Sequence, residues 1–198
     1  EPWNARAVFD RIGFTVTTTQ AIWKNHPEKV LGTTKEFVEK YPNTTRAMIA
    51  AVLEASQHLD AMANRASVSD IIGGKAYVNA PPQVILGRMQ GQYEDGLGKK
   101  WSDPDYMKFF DEGEVNFPYL SHGAWFLTQL RRWNLLKEDL DYLAVAKQVN
   151  QVDLYSSVAK ALGVPVPASA TKTETLFDGT VFDPSKAAAY ASGFAIRA

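Results

Sequence analysis

Phe14-Thr15-Val16-Thr17-Thr18-Thr19, then Trp23-Lys24-Asn25-His26-Pro27-Glu28-Lys29, then Val30-Leu31-Gly32-Thr33, is the stretch on which the fold turns. Its first block is rich in β-branched residues and reads as a strand. Lys29 to Thr33 reads as a second, weaker strand. Between them, Gln20 to Glu28 reads as a short turn of helix followed by a loop. After Thr33 the chain reads as helix almost to its end. Two strands cannot make a stable sheet alone. A long helical block beside so little sheet implies helices that pack on strands supplied from elsewhere.

Outward from that stretch the periodicities are helical. Pro2 to Arg11 has Pro2 in its first turn and Ala5, Val8 and Phe9 on one face. Thr34 is placed to cap Lys35 to Lys40, and Asn43 to cap Thr44 to Asn64. In that long helix Met48, Val52, Ala55, Leu59 and Met62 form one apolar stripe. If the sheet comes from elsewhere, this stripe is the face left without cover. Asn43-Thr44-Thr45 also matches an N-glycosylation sequon, with the cap as the simpler reading. Further helices are expected over Ser67 to Ile72, Pro82 to Met89 and Tyr106 to Phe110, with a polar Gly-rich loop from Gln92 to Pro104. Three more carry the faces Phe126/Leu130/Trp133, Leu136/Leu140/Leu143/Ala144 and Tyr155/Val158/Ala159/Leu162. Gly163 to Lys172 is extended, Thr175 to Pro184 is a strand or a wrapped tail, and Ser185 is a candidate cap for a last short helix.

At 198 residues the chain has room for one large domain or two small lobes. A net charge of −1 gives no broad attraction for nucleic acid or an anionic membrane, so an anion would need a local site. There is no cysteine, hence no disulfide framework, thiolate nucleophile or thiolate metal site. No apolar run approaches the ~18 residues of a membrane span, and no signal peptide is present. The opening Glu1-Pro2-Trp3-Asn4 has no initiator Met and no lead-in, and reads as a chain whose front lies upstream.

Catalytic constellations are missing: no G-x-S-x-G, H-E-x-x-H or G-x-x-x-x-G-K-[ST] occurs. His58 sits beside the apolar stripe as a helix-boundary residue. His122 follows Ser121 in Phe117-Pro118-Tyr119-Leu120-Ser121-His122-Gly123, where Ser121 as a helix cap explains most of the pattern. A proton-transfer role for His122 lacks a nearby nucleophile. The acids of Gln92 to Lys100 lack the alternating oxygens of a calcium loop, and Asp111, Glu112 and Glu114 read as solvated surface. Trp23 to Lys29 differs. It holds two lysines, a histidine, an indole and a proline between two strand candidates, and loops in that position build sites. An exposed polar loop is the plain alternative.

Several blocks in this order resemble a known family. Glu1-Pro2-Trp3-Asn4-Ala5, Gly13-Phe14-Thr15, Trp23-Lys24-Asn25-His26-Pro27-Glu28-Lys29 and Tyr41-Pro42-Asn43-Thr44-Thr45 come first. Phe117 to His122, Trp125-Phe126-Leu127-Thr128 and Phe177-Asp178-Gly179 continue the match. Together they are similar to the nitrate/nitrite/bicarbonate-binding solute-binding proteins of ABC importers. The resemblance implies a two-lobed α/β fold of the periplasmic-binding-protein kind, with an anion cleft between lobes. This chain would be its helix-rich C-terminal portion, with few strands. Residues 1–28 would end the second lobe, 29–81 would hold a hinge and helices packing on the first lobe, and 82–198 would be a helical C-terminal extension.

The resemblance also implies a site. The lysine of the H-P-E-K stretch contacts the oxyanion, which makes Lys29 the ligand here, with His26 beside it. Trp3 and Glu1 follow a family glycine that contacts the anion and is absent from these residues. No metal or cofactor and no enzymatic activity are implied for the nitrate-binding members. Bicarbonate-binding members use an acidic residue with calcium where nitrate binders have lysine, and Glu28 beside Lys29 keeps that alternative open. A nitrate-sensing regulatory homologue and an enzyme using His122 are further alternatives. The expected partners are nitrate or nitrite and an ABC permease. The expected location is the periplasm, with membrane contact only through an N-terminal anchor outside these residues. A lysine donor to an anion is worth roughly 1.5–3 kcal/mol, whereas micromolar capture needs about 8 kcal/mol. Lys29 therefore supplies a minority, and this chain alone is not expected to hold nitrate at physiological affinity.

Overall fold

The computed structural model describes residues 2–194. Contacts divide the chain into two units. One comprises the residues up to His26 together with Val52–Asp111, and the other comprises Pro27–Ala51 and the residues from Glu112 onward. The first division falls inside the Trp23–Lys29 motif, between His26 and Pro27.

The first unit opens with α1 (Trp3–Phe9) and the short α2 (Thr19–Ile22). It continues through the second part of α4 (Pro42–Asp60), then α5 (Arg65–Ile72) and α6 (Pro82–Met89). Its core gathers Ala80, Ile85 and Met89 with Leu59, Ile72, Val78 and Phe109. Arg65, 1% exposed, is the hub. Its guanidinium donates to the carbonyls of Leu59 (3.0 Å), Met107 (2.7 Å) and Met89 and pairs with Asp60 at 3.2 Å. The rings of Tyr106 and Phe109 lie 5.1 and 5.2 Å from it. Asp60 in turn accepts from the amides of Phe109 (2.8 Å) and Asp111 (2.6 Å). This is why no helix forms at the expected Tyr106 to Phe110. Backbone groups that a helix would pair internally are spent on Arg65 and Asp60.

The strands expected at Phe14–Thr19 and Lys29–Thr33 are also not formed. Gly13–Thr18 and Pro27–Thr34 carry no regular element, and Thr19 already belongs to α2. Ile12, Phe14 and Val16 are exposed, whereas Thr15 is buried and its amide meets the Asp95 carbonyl at 2.9 Å. One buried side chain and one backbone bond do not make a ladder. A hairpin appears where only loop was expected. β1 (Gln92–Glu94) pairs antiparallel with β2 (Lys100–Ser102), and Tyr93 stacks on Trp101 at 5.5 Å. Asp95 closes its turn by accepting the amides of Leu97 (2.7 Å) and Lys99 (3.0 Å).

The second unit begins with α3 (Lys35–Lys40), capped as expected by Thr34, whose hydroxyl accepts the Phe37 amide at 3.2 Å. The long helix α4 starts at Pro42, so Asn43 lies within its first turn and is not the cap. Its buried positions are Thr45, Leu53 and Ser56, while Met48, Val52 and Met62 are about 40% exposed. Then come α7 (Leu120–Arg132), α8 (Tyr142–Val149), α9 (Val152–Ala161), the hairpin β3 (Glu174–Thr175)/β4 (Val181–Phe182) and α10 (Ala187–Ser192).

Ala124, Tyr142, Phe182, Ala187 and Ala191 form one core cluster of this unit. Gly123 lets α7 approach α8: a Cβ there would sit 3.0 Å from the Ala146 Cβ and 2.9 Å from Asn150 Oδ1. The face of α7 that is buried is therefore the small one, Ser121, Ala124 and Thr128, and the expected Phe126/Leu130/Trp133 face stays 42–47% exposed. Leu136 and Leu140 precede α8, which starts at Tyr142 with Asp141 as cap (2.9 Å to the Ala144 amide). In α9, Tyr155, Val158 and Ala159 are buried as expected, whereas Leu162, just past its end, is 38% exposed. Asp183, not Ser185, caps the turn before α10, accepting the Ser185 amide at 2.9 Å.

Candidate functional site

The motif Trp23–Lys29 folds as an anchored turn. α2 ends when the Trp23 amide donates to the Thr19 carbonyl at 2.9 Å, and the indole is buried at 6% exposure. The chain then reverses through Asn25, whose φ of 55° is left-handed, a region Asn enters more readily than most residues. Gln20 holds that residue twice. Its Nε2 donates to Asn25 Oδ1 at 3.0 Å and its Oε1 accepts the Asn25 amide at 2.9 Å. His26 Nε2 lies 2.6 Å from Thr19 Oγ1. Lys24 pairs with Asp105 at 2.8 Å.

Lys29, in the second unit, is 78% exposed and pairs with neighbouring Glu28 at 3.3 Å. Trp3 lies on α1, 62% exposed. Glu1 lies outside the described residues. The structure thus gathers His26, Lys24 and Trp23 into one turn. Two clefts open in the first unit, about 260 Å³ around Thr15, Thr17, Lys99 and Trp101 and about 730 Å³ around Phe9, Ile12, Phe14 and Leu97. Neither includes His26, Lys29 or Trp3.

Sequence reasoning passed over Arg88. This cation, 5% exposed, reaches Asn4 Oδ1 (3.3 Å) and Thr15 Oγ1 (3.2 Å) and lies 4.8 Å from the Tyr93 ring. It ties α1, the extended segment and the hairpin together. The signal was present as a lone arginine inside the apolar Val84-Ile85-Leu86-Gly87-Arg88-Met89.

Ser121 is not the cap of α7. It lies within the first turn, fully buried, and its hydroxyl accepts the Lys172 amide at 3.2 Å. His122 is largely buried against Glu174 at 3.2 Å, and Lys172 meets the same carboxylate at 3.3 Å. Tyr119 packs against both and gives its hydroxyl to Glu114 at 2.5 Å. Burial first, and that bond second, push its phenol well above the ordinary value. Tyr155, beside them in the core, is pushed up to about 12, chiefly by burial. Neither cleft includes His122, which is part of a packed polar cluster. Among the described residues no three His, Asp or Glu side chains converge as metal ligands, and no helix is long and apolar enough to cross a membrane.

With this geometry in hand, known proteins align along the whole chain. The crystal structure of the periplasmic nitrate-binding protein NrtA from Synechocystis superposes with a TM-score of 0.93 at 34% identity, covering 99% of this chain and 52% of that one. The nitrate/nitrite binding protein NrtA of a Nostoc species is 36% identical over 201 residues, covering 100% of this chain and 46% of the relative.

Over its whole length this chain is similar to nitrate-binding proteins.

The bicarbonate-binding protein CmpA of Synechococcus elongatus is 34% identical, again across 100% of this chain and 46% of its own length. The NMT1-like family model matches residues 1–73, which include α1 and the whole motif. The chain spans about half the length of the curated relatives it matches. Its helix-rich fold with few strands is that of the corresponding part of the nitrate-binding structure. The Nostoc and Synechococcus relatives bear the names of solute-binding proteins, and an import ATP-binding protein of Synechocystis is also 33% identical across 100% of this chain and 29% of its own length.

Proposed function

We propose that this chain is part of the substrate-binding component of an ABC importer and helps to capture a small oxyanion, nitrate or nitrite, in a cleft between two lobes. Residues 1–28 would close the second lobe, 29–81 would carry the hinge and helices on the first, and 82–198 would extend it. Lys29 supplies the ammonium, His26 a second donor, and Trp3 and Glu1 the adjoining wall. The observation that carries this reading is the end-to-end match to a nitrate/nitrite binding protein, with the Trp23–Lys29 motif inside it. The chemistry agrees. Nitrate is flat, weakly basic and singly charged, so it needs donors in its plane and one positive charge. The Lys29–Glu28 contact is exposed and worth little, so an incoming anion displaces it at small cost. The permease of the importer is the expected partner. The periplasm is the expected location, because the solved relative is a periplasmic nitrate-binding protein.

A second reading, bicarbonate with calcium, rests on the 34% identity to a bicarbonate-binding protein and on Glu28 adjoining Lys29. Calorimetric titrations of the intact two-lobed protein with nitrate, nitrite, and bicarbonate with and without calcium separate the two. The proposal expects oxyanion heat with nitrate or nitrite, lost in Lys29→Glu. Calcium-dependent bicarbonate binding that Glu28→Gln removes would replace it, and unchanged nitrate affinity in Lys29→Glu would sink the role of Lys29.

A further inference from the structure

We infer that Gln20 and Thr19, neighbours in the first turn of α2, are positioning residues for His26, holding the turn in the one backbone shape that presents its imidazole. The inference rests on the anion reading above for its function, but not for its geometry. Three observations within the first unit converge. Asn25 is left-handed, a conformation that costs a non-glycine residue energy unless neighbours hold it. Gln20 holds it with a closed pair of bonds at 3.0 and 2.9 Å, one to the side chain and one to the backbone amide. His26 comes next in the chain, and Thr19 Oγ1 sits 2.6 Å from its Nε2. The turn is anchored by the buried Trp23, and Lys24 lies beside Asp105 at 2.8 Å.

Each partner has a distinct task. The Gln20 carboxamide offers one donor and one acceptor, and Asn25 presents the matching acceptor and donor. Glu or Ala at position 20 cannot make both bonds. The Thr19 hydroxyl donates or accepts, so it fixes the ring plane in either tautomer. A donor held in place before the anion arrives spares the ordering cost that a loose turn would pay on binding.

The test uses ring NMR signals of His26, identified with His26→Gln, in the wild-type chain and in Gln20→Ala, Asn25→Gly, the double variant and Thr19→Val. Sodium nitrate is titrated to tens of millimolar against sodium chloride, and circular-dichroism melts monitor folding. In Gln20→Ala the His26 signals should shift and broaden while the melting temperature stays put. Nitrate response should weaken roughly tenfold, the weight of re-fixing about one backbone residue. Adding Asn25→Gly should restore both, because glycine takes the left-handed shape without help. Unmoved His26 signals in Gln20→Ala overturn the inference. Failure of Asn25→Gly to restore them overturns it too, since the clamp would then act on something other than the Asn25 backbone. Signals that move and are restored, with no nitrate response in any protein, uphold the positioning role and overturn the anion reading.

Discussion

Arg65 and Lys29 are both cations with a carboxylate nearby, and they are built in opposite ways. Arg65 is 1% exposed, meets Asp60 at 3.2 Å, and spends further donors on three carbonyls. Lys29 is 78% exposed and has an exposed partner, Glu28, at 3.3 Å. Between them they mark two uses of charge. A buried cation with its donors spent holds chain segments together and is costly to lose. An exposed cation with an easily displaced partner contributes little to the fold and is available to a ligand.

Removing the buried cation is the sharpest way to break this contrast. Arg65→Leu strands Asp60 beside the core and leaves the Leu59, Met89 and Met107 carbonyls without their donor. It should cost about 3–5 kcal/mol in urea unfolding at pH 7. A loss below about 1 kcal/mol would show that the hub is no different from a surface pair.

Buried phenols test the same rule with groups that stay neutral. Tyr119, Tyr142 and Tyr155 are all raised above 10, burial being the first cause in each, and Tyr155 reaches about 12. Each pKa is higher folded than unfolded. Their stabilisation is therefore complete below pH 10 and drains away as pH climbs from 10 towards 12. For Tyr155 the loss approaches about 1.4 kcal/mol per pH unit. Unfolding measured at pH 9, 10 and 11 should show the decline, and Tyr155→Phe should flatten part of it.

An exposed carboxylate tied to backbone lies between the extremes. Asp141→Ala removes the cap of α8 and should cost about 1 kcal/mol in a urea melt. The smallest effect belongs to the loop: Lys29→Gln should shift stability by no more than about 0.5 kcal/mol. A larger loss would make Lys29 structural and blur the contrast with Arg65.

What could be read from sequence follows the range of the interactions concerned. Local signals worked. Thr34 caps α3, Pro82 opens α6, and Tyr155, Val158 and Ala159 face inward on α9, because caps and helical spacing are settled within a few residues. Partners distant in the chain were illegible. Phe14-Thr15-Val16 has strand composition, but a strand exists only with a ladder, and among the described residues its backbone meets Asp95 alone. The face that α7 buries is set by Gly123 against Ala146 in α8, which reverses the expectation drawn from hydrophobicity. The candidate site was legible as a motif. Its internal clamp was not, because neither Gln20 nor Asn25 taken singly announces the pair of bonds that joins them across five residues.

The segment that fails to become a helix near Phe109 carries a further consequence. Its amides at Phe109 and Asp111 point at the Asp60 carboxylate, while Arg65 grips the carbonyl of Met107. Irregular backbone is ordinarily the first to trade its hydrogens with solvent. Here release of either amide requires Asp60 to let go, and Asp60 is held by Arg65, whose other bonds reach the ends of α4 and α6. In deuterated water these two positions should retain their protons as long as the helices around them do, and surrender them together in one cooperative opening.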